Sequence, residues 1–265
     1  MHIKRWLTGI IAIPILIAII GIEPRWPFYI LLLFASIVGL MEFYVITASD
    51  TPRFVQWTGY FLTSLLFVVF SVRQVLLAPV IILLLAFVPM TFFMLKNSEP
   101  SKEWTAYIGK AVLGPIYVGL PLALLVLIDM RLNGKIWIFF LLTVIFANDT
   151  GAFYFGRFFG KHKLYEAISP NKTWEGAIGG LLCSIIAALW FIYLLRLRPM
   201  DITVLALVLA LSITAQIGDL SASMLKRNHG VKDSGKILPG HGGMLDRIDG
   251  LLFSIPILYL FFTFF

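Results

Sequence analysis

The sequence predicts an all-α fold: a polytopic integral membrane bundle of about nine transmembrane helices with a cytoplasmic N-terminus. Three observations carry this. Sixty per cent of the 265 residues are hydrophobic and only 13% are charged, about half the charged fraction of an average soluble domain. The apolar residues fall in runs long enough for a helix to cross roughly 30 Å of hydrocarbon. So much apolar surface cannot be enclosed in one water-soluble core, which needs a polar skin, whereas helices in lipid satisfy their own backbone groups.

In chain order the spans are expected at 6–22, 27–46, 57–72, 75–95, 108–128, 136–158, 175–195, 202–227 and 250–265. The first follows His2-Ile3-Lys4-Arg5 and resembles a signal peptide. No small-x-small cleavage site follows it, and Gly21-Ile22-Glu23-Pro24 is a poor substitute, so it is read as an uncleaved span. Only Arg73-Gln74 separate the third and fourth spans, which predicts a tight helical hairpin. With the N-terminus inside, six of the 21 Lys and Arg residues (Arg25, Arg73, Arg131, Lys135, Arg196 and Arg198) fall on outside segments and the other fifteen fall inside. That bias sets the orientation and places both long polar loops in the cytoplasm.

A net charge of +7 suits an anionic leaflet and phosphate-bearing ligands. It does not point to nucleic acid, because no soluble stretch is long enough to hold a basic domain. The single cysteine, Cys183, lies in an apolar run and reads as a small buried hydrophobe. No repeat or linker divides the chain, so 1–265 reads as one transmembrane domain. Residues 1–135 are mainly scaffold or interface helices, and 136–265 hold the catalytic helices and cytoplasmic loops. The apolar helices over 57–95 suit a lipid face or a subunit interface equally, so a homodimer stays open.

Polar residues gather in two regions, 147–176 and 218–250. In the first, Asn148 and Asp149 sit about twelve residues into an apolar span, where a bare carboxylate costs on the order of 3 kcal/mol. Asp149 must therefore meet a polar cavity, a cation or an ion-pair partner within the bundle. In the second, a helix continuing through 227 would put Asp219, Ser223 and Lys226 at i, i+4 and i+7, on one face. Asp246 and Asp249 stand at i and i+3 at the mouth of the last span. Three carboxylates from two helix ends would then converge at the membrane–cytoplasm boundary. Clustered acids repel unless a cation lies between them, and hard oxygens in ones and twos, completed by phosphates and water, are how magnesium is held. Lys226, Arg227, Lys232, Lys236 and Arg247 offer charge to a polyphosphate.

Two patterns are decoys. Gly230 to Lys236 has P-loop spacing, but Ile237 stands where Ser or Thr must bind the metal and no strand precedes it. Gly156 to Lys161 is not a dinucleotide fingerprint. His241, between glycines, reads equally as a catalytic base or a loop hydrogen-bonder.

Ser223-Met224-Leu225-Lys226-Arg227, then Lys232-Asp233-Ser234-Gly235, then Leu238-Pro239-Gly240-His241-Gly242-Gly243-Met244-Leu245-Asp246-Arg247-Ile248-Asp249 closely resembles the signature of the phosphatidate cytidylyltransferases (CDP-diacylglycerol synthases). Asn148-Asp149, Gly156-Arg157 and Ser169-Pro170-Asn171-Lys172-Thr173-Trp174-Glu175-Gly176 look like further blocks of that family. The resemblance covers about residues 140–260, and no acidic or basic position of the long signature departs from it. It implies magnesium-dependent transfer of a cytidylyl group from CTP to phosphatidic acid, giving CDP-diacylglycerol and pyrophosphate for phospholipid biosynthesis. The expected metal ligands are Asp219, Asp246, Asp249 and Asp149; Lys226 and Arg227 join the catalytic set. Asn148, Asp149, Lys172, Glu175, Ser223, Lys232, Asp233, His241 and Arg247 are expected to bind substrate. The first region would serve either as a second cation position or as a nucleotide contact. The partners are CTP, phosphatidic acid and membrane lipid, and the expected location is the cell's inner (plasma) membrane, multi-pass, with the active site facing the cytoplasm.

Three other functional classes fit these residues less well. A cation- or proton-coupled transporter explains the intramembrane acids but not the neighbouring bases and glycines. A CTP-using polyprenol kinase would release CDP. The acidic pattern of CDP-alcohol phosphotransferases is not met by Asp249-Gly250-Leu251-Leu252-Phe253.

Overall fold

The computed structural model describes residues 14–96, 103–199, 201–235, 237 and 242–264. Among them, eight helices are long and apolar enough to cross a membrane by length and composition. The chain is a helical membrane protein of many spans. Residues 6–13 of the first expected span, 6–22, lie outside the described residues; 14–21 are helical and are called α1.

The helices follow in order: α2 (Trp26–Thr47), α3 (Arg53–Ser71), a 3₁₀ turn (Val75–Leu77), α4 (Ala78–Lys96), α5 (Glu103–Gly114), a π turn (Pro115–Gly119), α6 (Leu120–Asp129), α7 (Gly134–Phe159), α8 (Trp174–Leu195), α9 (Ile202–Asn228) and α10 (Leu245–Phe264). Between α7 and α8 stand two short antiparallel strands, β1 (Lys163–Tyr165) and β2 (Ser169–Thr173). Two compact units result: Met1–Leu127 with Asp233–Asp246, and Ile128–Lys232 with Arg247–Phe265.

Within the first unit α3 and α4 form the expected hairpin. The span from Glu103 to Asp129 is continuous but changes pitch at Pro115. Proline has no N–H to donate to the carbonyl four residues back, and ladders commonly widen to a π turn at such a defect. The carbonyl four residues before Pro115 is Ala111's, and it is satisfied from another helix: the hydroxyl of buried Tyr44 donates to it at 3.0 Å.

Several helices begin earlier than hydropathy suggests. α3 starts at Arg53 rather than 57, α5 at Glu103 rather than 108, and α10 at Leu245 rather than 250. Each extra turn carries polar residues, which lower a hydropathy average without disfavouring the helix. In the second unit Asp201 caps α9, accepting from the Thr203 hydroxyl at 2.6 Å and the Val204 N–H at 2.9 Å. Those donors hold its carboxyl below the usual carboxylate range.

Candidate functional site

The second unit gathers most of the polar residues at one end. Helices α7 and α9, of 26 and 27 residues, are about 39 and 40 Å long at 1.5 Å per residue. Both outrun roughly 30 Å of hydrocarbon, and the charged residues of α9 and most of those of α7 stand in their C-terminal halves. Asp149 lies in the later part of α7 and Asp219 in that of α9, while α8 and α10 begin at the same end.

Asp149, Asp219 and Asp249 lie close enough for each charge to act on the other two. Bases interleave them. Lys172 reaches Asp219 at 2.7 Å, Lys226 acts on Asp249, and Lys172 and Arg247 act on Asp149. Because α9 is helical through Asn228, Asp219, Ser223 and Lys226 do share a face. Lys226 is only 9% exposed; its long stem is buried while its ammonium serves the acids.

Two helix ends are brought together by a small-residue crossing. A Cβ at Gly218 would sit 2.5 Å from the carbonyl oxygen of Asp249 and 3.2 Å from the Cα of Gly250. Only glycine lets α9 and α10 approach this closely, and the neighbours of those glycines are the acids Asp219 and Asp249.

Asn148 is 1% exposed. Its Oδ1 accepts from Ser212 Oγ at 2.7 Å and from Gln216 Nε2 at 2.9 Å. Gln216 also donates to the Ala177 carbonyl at 3.0 Å, tying α7, α8 and α9 together. Sequence reasoning missed Gln216, although a lone glutamine deep in an apolar span is itself a signal.

Lys172 is presented by the hairpin, which the hydropathy reading left as loop. Thr173 caps α8 by accepting from the Gly176 N–H at 3.1 Å. Glu175, expected at the substrate, is taken up locally: it accepts from the Lys161 and His162 N–H groups at 3.1 and 3.2 Å and meets His162 Nδ1 at 2.6 Å. It thereby staples the hairpin's start to α8. A cavity of about 620 Å³ opens beside these elements, lined among others by Asn148, Asp149, Arg157, Asn171, Lys172 and Asp219. That volume falls within the roughly 300–1,000 Å³ of small-molecule sites. Glu175 is not among its lining residues. Cys183, read from the sequence as buried, is a half-buried free thiol that packs against Gly151.

Arg227 is exposed and donates to the Val231 carbonyl at 3.1 Å; Lys232 is exposed too. His241 lies outside the described residues.

Asp233 and Asp246 belong to the first unit. There Asp246 Oδ2 accepts from the N–H groups of Ser234 and Gly243 at 2.9 and 3.0 Å, and Asp233 is exposed. The same segment holds a carboxylate that the sequence reading passed over. Glu42 on α2, 4% exposed, accepts from Ser234 Oγ, Met244 N–H and Leu245 N–H, each at 2.9 Å. It is the only charged residue of α2, so the argument applied to Asp149 would have found it.

Among the described residues no three His, Cys, Asp or Glu side chains form a ready-made metal cage. Magnesium does not need one: it is typically held by one or two carboxylates and completed by phosphates and water. Partly exposed Asp219, with Asp149 and Asp249 beside it, fits that pattern, and Lys172, Lys226 and Arg247 supply charge for the phosphates. The arrangement suits a polyphosphate and a hard cation better than a bare cation path.

Comparison with known proteins identifies the family. Residues 3–265 match the family described as the cytidylyltransferase family. The chain is similar to a phosphatidate cytidylyltransferase of Staphylococcus aureus (strain COL), at 35% identity over 259 residues and 96% of each chain. Phosphatidate cytidylyltransferases of Staphylococcus epidermidis (strain ATCC 12228 / FDA PCI 1200) and Staphylococcus haemolyticus (strain JCSC1435) are each 36% identical, again over 96% of both chains.

Proposed function

Because the chain belongs to the cytidylyltransferase family and is a nucleotidyltransferase, we propose that it transfers the cytidylyl group of CTP to phosphatidic acid, yielding CDP-diacylglycerol and pyrophosphate. The observation that carries this is the set of three mutually interacting carboxylates, Asp149, Asp219 and Asp249, interleaved with Lys172, Lys226 and Arg247 in one compact unit.

The lipid phosphate is a monoester with a second pKa of roughly 6, so it is largely a dianion at neutral pH and needs no general base. One of its oxygens bonds to the α-phosphorus of CTP as the bond to the β-bridging oxygen breaks, and pyrophosphate leaves with that electron pair. The chain's task is to bring two anions together and hold them in line. Lys172 and Lys226 neutralise phosphate charge, Arg227 and Lys232 hold the nucleotide's outer phosphates, and Asn148 keeps Asp149 oriented. Asp219, Asp249 and Asp149 are the proposed magnesium ligands. The metal, when bound, supplies Lewis-acid stabilisation of charge on the phosphoryl oxygens.

The substrates fit a membrane setting. CTP arrives from water and phosphatidate from the leaflet, which favours a cytoplasmic-facing site in the cell's inner membrane. The test is product analysis. Purified protein given labelled CTP, phosphatidate and Mg²⁺ is expected to put the cytidine label into lipid and release pyrophosphate. Release of CDP with a phosphorylated lipid would identify a kinase and overturn the proposal.

A further inference from the structure

We propose that Glu42 is a positioning residue for this reaction, tying Ser234 to Met244 and Leu245 and setting the start of α10. The inference rests on the cytidylyl-transfer reading, whose signature includes Asp233 and Asp246 of the same segment.

Glu42 is the only charged side chain on α2, and its three partners lie 192 to 203 residues further along the chain. Helix α2 gains nothing on its own from a carboxylate inside an apolar span, where charge is costly. The loop gains a great deal. Met244 and Leu245 would otherwise have N–H groups without partners at the first turn of α10, as every helix start does. The carboxylate takes both, and its charge complements the positive end of the helix dipole.

Ser234 links this clasp to the signature. Its Oγ donates to Glu42 while its N–H donates to Asp246, which also accepts from Gly243. Two acids and one serine thus join Ser234 to Gly243, Met244 and Leu245. The glycines are shaped to the same end, since a Cβ at Gly235 or Gly243 would collide with the Glu42 carboxylate.

An ionised carboxylate is acceptor-only. Glutamine has nearly the same shape but would turn an NH₂ toward groups that donate. Glu42→Gln therefore tests the charge rather than the space. In hydrogen-exchange mass spectrometry of the full-length protein, E42Q is expected to speed exchange in the 233–246 segment and leave the other helices as in the wild type. Displacement of the loop should lower kcat by about 10²-fold, with the KM values for CTP and phosphatidate moving far less, because the fault lies in positioning and not in ground-state binding. S234A, which removes one donor of three, should show the same local change with a kcat loss of about two- to tenfold. Wild-type exchange in 233–246, wild-type kcat, or loosening spread over the whole chain in E42Q would each overturn the assignment. If E42Q does not fold, S234A decides alone, and unchanged exchange and kcat in it overturn the proposal. An unsubstituted protein that makes no CDP-lipid would instead sink the functional reading, while exchange would still decide whether Glu42 holds the loop.

Discussion

Lys172 Nζ lies 2.7 Å from Asp219 Oδ2, with the two side chains 26% and 42% exposed. A pair this open to solvent contributes only about 0.2–1 kcal/mol to stability, so Lys172 can exchange its carboxylate for a phosphate at little cost. The hairpin that carries it is folded for presentation, with Thr173 and Glu175 both spent on holding the strand against α8. Lys172→Met should leave the melting temperature near the wild-type value. It should lower kcat/KM for CTP by about 10- to 100-fold, the scale of one charged hydrogen bond. A variant with full kcat/KM would show that Lys172 is only the hairpin's surface charge.

The crossing at Gly218 makes a second prediction. A side chain there meets backbone atoms of Asp249 and Gly250, which cannot rotate away, so α9 and α10 must separate. Gly218→Val should destabilise the protein by about 1–3 kcal/mol, as overpacking commonly does, and should lose turnover because Asp219 and Asp249 move apart. Thermal unfolding in detergent and CTP turnover check the two effects. Wild-type values in both would contradict the claim that this crossing sets the spacing of the acids.

Much of this was legible from residue order. Hydropathy located the spans because lipid demands long apolar runs, and charge patterning drew attention to Asp149, Asp219 and Asp249. What it clipped were the polar end turns: α10 begins at Leu245, five residues before its apolar run, so Asp246 and Asp249 lie inside its first two turns, at the i and i+3 spacing expected of one face. The hairpin 163–173 escaped because its strands, Lys-Leu-Tyr and Ser-Pro-Asn-Lys-Thr, have no apolar alternation; they are held by their own pairing, by the Thr173 cap and by Glu175, and the buried apolar side chain, Ile168, lies in the turn between them. Glu42 and Gln216 were readable by the rule already applied to Asp149 and were passed over because no signature surrounds them. No local pattern shows that 233–246 packs with the N-terminal helices. That follows from three hydrogen bonds to a side chain some 200 residues earlier.

Tyr44 separates scaffold from chemistry. Its hydroxyl serves the Ala111 carbonyl that Pro115 cannot. Tyr44→Phe leaves that buried acceptor without its tyrosine donor, at a cost of about 1–3 kcal/mol. The variant should unfold at lower temperature while turnover per folded molecule stays near the wild type. A fall in kcat without a fall in stability would mean that the π turn has a role in the reaction.

Divalent-metal dependence of turnover, measured for the wild type and for Asp219→Asn, tests the central claim most directly. The wild type should stop when a chelator is added and recover as Mg²⁺ is restored. Asp219→Asn, purified in the same folded state, should form no CDP-lipid at any Mg²⁺ concentration. Full turnover in that variant, or turnover in the wild type indifferent to the chelator, would contradict the account.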